Sequence, residues 1–190
     1  MSLRIRTIAA ALLVMAPGLA PSLAVAQVAE PSSTTATYGA WTVTCAAQDA
    51  DKICQMTTKL SIKGNDGQVR PLLEVAIGQP LGGKGARIVV QVPMDVALRE
   101  AVEVSVDAPG ADAAQSPKPQ TALAQASYFA CVPAGCIADA ALTAGTIAAL
   151  RAAATTNVTF TALAGAKKIT VPVPMAGFGD AWAALGVPDQ

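Results

Sequence analysis

The chain of 190 residues contains no histidine, and that absence excludes more chemistry than any motif present supplies. Serine-histidine-aspartate and cysteine-histidine catalysis, imidazole metal ligation and histidine pH switching all need a side chain that is missing. Aromatic residues are only 4% of the chain, which argues against a platform that stacks sugars or single-stranded bases. Trp41 and Trp182 read instead as core anchors. Like charges are rarely adjacent, Lys167-Lys168 being the one such pair. A polybasic membrane segment is therefore absent, as is the clustered basic face of a nucleic-acid binder.

Long apolar runs are also lacking, with one exception at the start. Arg4 and Arg6 precede an apolar stretch from Ile8 to Leu23, and Ala24-Val25-Ala26 follows. This is the three-part layout of a secretory signal, with cleavage expected after Ala26, the small residues Ala24 and Ala26 forming the recognition site. Pro17, Gly18, Pro21 and Ser22 interrupt the stretch, short of the ~18–20 residues of a spanning helix. A lipid anchor would call for a cysteine at the cleavage point, and the first is Cys45. The expected product is periplasmic or secreted, with no transmembrane span after cleavage. Loss of Arg4 and Arg6 leaves eleven basic against 13 acidic residues, a slightly acidic chain long enough for one domain with a single core.

The four cysteines, Cys45, Cys54, Cys131 and Cys136, all lie in the expected exported part. An even number in an oxidising compartment reads as two disulfides. Three pairings are possible, and the local one, Cys45 to Cys54 and Cys131 to Cys136, is favoured because each pair fits across a hairpin or tight loop. Neither spacing is C-x-x-C, against a thioredoxin-like role. A zinc site would have to be all-cysteine with unusual spacing.

Other chemistries fail on context. Gly78, Gly83 and Lys84 reproduce part of the phosphate-cradling G-x-x-x-x-G-K-[ST], but Gly85 stands where a hydroxyl should hold magnesium. The run also leads into the strand-like Arg87-Ile88-Val89-Val90 and not into a helix N-terminus. Ser61 has Lys59 and Lys63 near it in sequence, with nothing to depress a lysine pKa. Carboxylates are scattered without acid-base spacing. Asn65-Asp66-Gly67 and Asp49-Asp51 are too isolated for calcium. No catalytic, cofactor or metal residues are expected.

The order of elements reads as mainly β. Trp41, Val43 and Cys45 alternate with Thr42 and Thr44, the period of a half-buried strand. Residues 53–62 and 69–77 form a candidate hairpin about Asn65-Asp66-Gly67. Further strands are expected over 86–92, 102–107, 128–132, 157–163 and 168–173, with Ala164-Gly165 as the last turn. One helix is expected over 139–154, capped by Asp139 or Thr143, and Phe178, Trp182 and Leu185 have the spacing of a short amphipathic turn. Residues 108–125, rich in proline, alanine and glutamine, read as a long mobile loop. The expectation is a signal peptide over 1–26, a disordered lead-in over 27–37, and a single β-sandwich domain over 38–187 with one or two short helices.

The ordered combination Tyr38-Gly39-Ala40-Trp41-Thr42-Val43-Thr44-Cys45, Cys54, Val92-Pro93-Met94-Asp95-Val96-Ala97-Leu98, the strand over 102–107, Cys131 with Gly135-Cys136, and Gly177-Phe178 resembles the invasion-associated locus B family. Asp95 and Ala101 stand where glycine is common in that pattern, and Pro174-Met175-Ala176 replaces the usual residues before Gly177. The resemblance implies an exported protein with an immunoglobulin-like β-sandwich and no catalytic residues. It also implies a role in binding an unknown protein or envelope component, or a host-cell surface. The alternatives are a histidine-free envelope hydrolase and a structural envelope-stress protein.

Overall fold

In the computed structural model, which describes residues 33–48, 51–80, 83–108 and 120–187, alternation of side chains decides the architecture. The strands are β1 (Ser33–Tyr38), β2 (Trp41–Gln48), β3 (Asp51–Lys63), β4 (Val69–Gly78), β5 (Arg87–Val92), β6 (Val102–Asp107), β7 (Gln120–Val132), β8 (Gly135–Ala141), β9 (Thr155–Ala162) and β10 (Lys167–Pro174). Two helices are added, α1 (Ala144–Ala152) and α2 (Phe178–Leu185). Every pairing is antiparallel, in the order β1-β2-β3-β4-β5-β8-β7-β6-β9-β10. The fold is mainly β with two short helices, as expected.

The ribbon folds over itself at β7. Its first half pairs with β6 and its second half with β8, so this one strand belongs to both a larger sheet and a smaller one. The two sheets then face each other. Trp41, Val75, Ile77 and Ile88 of the larger sheet, Val104, Val158 and Val173 of the smaller, and Leu150 and Phe178 of the helices line one small internal void. On β2, β4, β5 and β10 the buried residues recur at every second position, as in Ile88, Val90 and Val92 of β5, because successive side chains point to opposite faces.

Two close backbone approaches close the sandwich. Trp41 stands edge-on to Phe178 with ring centroids 5.2 Å apart, and its indole N–H donates to the Pro174 carbonyl at 3.2 Å. Around this pair the β1–β2 turn meets the β10–α2 turn, the Ala40 N–H donating to the Ala176 carbonyl at 2.9 Å. A Cβ on Gly177 would lie 2.2 Å from the Tyr38 carbonyl oxygen, and Gly177 has φ 81°, so only glycine fits. The second approach is at Gly135, where a Cβ would lie 2.2 Å from the Val92 oxygen.

Three expectations need correction. Residues 33–37 are not a disordered lead-in but most of β1, which pairs with β2 along its whole length; residues 27–32 lie outside the described residues. The loop expected over 108–125 gives way to β7 from Gln120, because its Gln-Thr-Ala-Leu-Ala run pairs with β6; residues 109–119 lie outside the described residues. The helix expected from 139 starts only at Ala144, because Cys136, Ala138 and Ala140 alternate into the core as β8. Asp139 is therefore a strand residue, and Thr143 caps the helix, its hydroxyl accepting from the Thr146 N–H at 3.1 Å. Ala24 and Ala26 also lie outside the described residues. Among the described residues, no helix is long and apolar enough to cross a membrane.

Candidate functional site

The period that buries one side of the larger sheet turns the other toward solvent. Its outer face carries Thr42 and Thr44 of β2, Gln55, Thr57 and Lys59 of β3, Glu74 and Ala76 of β4, Arg87 and Val89 of β5, Asp139 of β8 and Phe129 of β7, all half-buried or exposed. Both helices instead contribute their buried residues to the core. Two cross-strand ion pairs lie on the face. Lys59 Nζ is 3.1 Å from Glu74 Oε2, and Arg87 grips Asp139 through Nη2 and through Nε, the latter at 2.6 Å. Exposed pairs of this kind contribute little stability, about 0–1 kcal/mol each. Their effect is to set out fixed charge across an otherwise hydroxyl- and amide-bearing surface.

Two open clefts divide the face. One of about 560 Å³ is lined by Thr42, Thr44, Gln55, Thr57, Lys59 and Glu74. The other, about 300 Å³, is lined by Gln55, Ala76, Val89, Arg87, Asp139 and Phe129. Phe129 is the conspicuous member, with 63% of its surface exposed. A register shift between Tyr128 and Ala130 places it in a β-bulge, a device that re-aims a side chain. Tyr128 turns inward against the core. Burial raises its phenol above the usual value, and among the described residues its hydroxyl has no partner.

The residues singled out in sequence fall in different places. Cys45 bonds Cys54 between β2 and β3, and Cys131 bonds Cys136 across the β7–β8 hairpin. Cys54 lines the second cleft as half of a disulfide and not as a thiol, and no described cysteine is free. Ser61 and Lys63 are exposed on the protruding β3–β4 hairpin, while Lys59 is engaged by Glu74. Gly78 ends β4, and the loop holding Gly83, Lys84 and Gly85 runs into β5. Asn65-Asp66-Gly67 forms the hairpin tip. There the Arg70 guanidinium and the Gln68 N–H hold the Asp66 carboxyl below the usual carboxylate range. Among the described residues no group of three or more His, Cys, Asp or Glu is placed to hold a metal.

Sequence reading missed Phe129. The signal was available in strand parity, since consecutive aromatics on a strand point to opposite faces. With Tyr128 on the inner side, Phe129 must be displayed outward.

Comparison with known proteins converges on one family. Residues 41–186 match the model of the invasion associated locus B protein. Over 145 residues the chain is 28% identical to the invasion protein B homolog of Brucella abortus strain 2308, and equally to that of Brucella abortus biovar 1 strain 9-941. Each alignment covers 76% of this chain and 75% of the relative. The crystal structure of invasion associated protein B from Bartonella henselae is similar with a TM-score of 0.60 at 24% identity, covering 80% of this chain and 94% of that one. The family is named for invasion and not for a reaction. With 146 of its residues inside the family model, the chain belongs to the invasion-associated locus B family.

Proposed function

We propose that this chain is exported, cut after Ala26, and acts without catalysis by binding an envelope or host-surface protein through the outer face of its larger sheet. Phe129 carries the reading. A large apolar side chain exposed beside polar clefts and fixed ion pairs matches the anchor-and-rim composition of protein-binding surfaces. Export is supported by the layout of the first 26 residues and by two disulfides, which persist in oxidising compartments. The Brucella and Bartonella relatives are named for invasion, a process with which a host-surface partner is compatible. A histidine-free hydrolase would draw support from a buried lysine or converging carboxylates, whereas the Lys59 side chain is 69% exposed and ion-paired.

The test is cross-linking of the purified protein, residues 27–190, to intact envelopes and to host-cell surfaces, beside a Phe129→Asp variant. The expected result is a defined adduct whose yield falls at least about tenfold in the variant, the loss of one good anchor, with an unchanged melting temperature. Equal yields for the two proteins would sink the assignment of the face. Recovery of Met1 at the N-terminus of the protein from cells would sink the export.

A further inference from the structure

The two free edges of the folded sheet differ in kind. At one end, β10 pairs only with β9 among the described residues. It contains Pro172 and Pro174 within its ladder and begins with Lys167 and Lys168. A proline inside a ladder must turn its donor-less nitrogen to the free side, so this edge lacks N–H groups at two alternate positions and carries charge at a third. These are the devices by which a sheet edge refuses a further strand. At the other end, β1 has the sequence Ser-Thr-Thr-Ala-Thr-Tyr and pairs only with β2 among the described residues. It has no proline, no charge and no register shift, and residues 33–37 are exposed.

From this contrast we infer that β1 is a self-recognition edge, pairing antiparallel with β1 of a second copy of this chain. The hairpin fixes which backbone groups are free. Gly39 and Ala40 form a two-residue connection, making Tyr38 and Trp41 the hydrogen-bonded closing pair. By alternation, the N–H and C=O groups of Ser33, Thr35 and Thr37 point away from β2. A two-fold axis at Thr35 then sets Thr35 against Thr35 and Ser33 against Thr37, with Thr34 against Ala36. On the order of six backbone hydrogen bonds form, and no like charges meet.

A self-paired strand satisfies the symmetry of a closed dimer, whereas the same operation on β10 would leave carbonyls facing Pro172 and Pro174, which have no N–H to offer them. The identity of the occupant follows from this self-complementarity: an uncharged, hydroxyl-rich strand offers a foreign peptide no charge or pocket to read. Such a dyad runs perpendicular to the sheet, so the outer faces of both copies end on the same side. The pair would be bivalent toward a surface. That consequence rests on the proposed binding role, whereas the pairing does not.

The experiment is sedimentation velocity of the protein, residues 27–190, over a concentration series reaching roughly 0.5 mM, where a small interface becomes populated. A monomer-dimer equilibrium is expected for the wild type and for Phe129→Asp. Thr35→Lys, which sets two ammonium groups opposite each other, should remain monomeric. Thr35→Pro should do the same, since it deletes only an outward N–H. The exposed lysine variant keeps the test alive should the proline variant fail to fold, and a thermal melt of each checks this. A wild type that is monomeric throughout, or a dimer that survives in folded Thr35→Lys, overturns the inference. Loss of partner cross-linking by Phe129→Asp with dimerisation intact separates this edge from the binding face.

Discussion

The two faces of the larger sheet are made by the same strands and obey opposite rules. Inward, Trp41, Val43, Met56, Ile77, Ile88 and Val90 are each no more than 4% exposed, and the backbone approaches at Gly177 and Gly135 leave no room for a methyl group. Outward, Thr42, Gln55, Lys59, Val89 and Phe129 touch solvent, and most could change without disturbing the ladder. The segments by which the family resemblance is recognised supply Trp41 and Val43 of the first set, and Trp41 with Gly177-Phe178, and Val92 with Gly135-Cys136, are the places where chain segments meet. Of the outer face those segments contain Thr42 and Thr44, which line the first cleft, but not Phe129, Lys59 or Arg87. Membership therefore speaks for the fold, and the binding surface has to be argued and tested separately.

The contrast can be broken most directly on β2 and β3. Trp41→Ala removes the ring that stands edge-on to Phe178 and the indole bond to Pro174. It should cost about 3–5 kcal/mol, read as a fall in the urea midpoint at constant slope. Gln55→Ala, on the outer face of the paired strand, should stay within about 0.5 kcal/mol. Similar costs for the two would dissolve the distinction. A smaller effect sharpens it from inside. Thr156 is 3% exposed, and among the described residues its hydroxyl has no partner. The buried group sits beside the internal void with Val104, Val158 and Phe178. Because an unpaired buried hydroxyl costs free energy that an isosteric apolar group does not, Thr156→Val should stabilise the protein by about 1 kcal/mol. A destabilised variant would mean that the hydroxyl is satisfied.

How much was legible follows the same division. Strands β2 to β6 and the β9–β10 pair announced themselves because valine, isoleucine and threonine alternate there, and the hairpin turn at Asn65-Asp66-Gly67 has the residues that such turns need. The local disulfide pairing followed from loop length, and the structure has those two bonds. What was misread is built from alanine. In Ile137-Ala138-Asp139-Ala140-Ala141 the small side chain suits a helix by propensity, and only the partners β5 and β7 make it a strand. Likewise β1 and the start of β7 are polar and exposed, so hydrophobic periodicity had little to report. Their order comes from the ladder of a neighbouring strand. The candidate face was the least legible part, since a sheet surface is assembled from residues far apart in sequence and carries no motif.

Asp95 offers the finest test of how far the family pattern is a statement about backbone. By the resemblance it stands where glycine is expected, and its φ is 66°, the left-handed region that glycine enters freely and aspartate tolerates. The position is held from both sides, the Leu163 N–H donating to the Asp95 carbonyl at 2.8 Å and Val96 bridging to Ala162. Asp95→Gly should relieve strain of about 1 kcal/mol while enlarging the freedom of the unfolded chain by slightly less. The net expected gain is about 0.5 kcal/mol or below, resolved by paired chemical melts with Asp95→Ala as the comparison. Alanine lacks both the freedom of glycine and the local hydrogen bonding of aspartate, so it should fall below the wild type. If alanine matched glycine, an expected glycine at this position would have to be explained by space or by a partner and not by the backbone conformation.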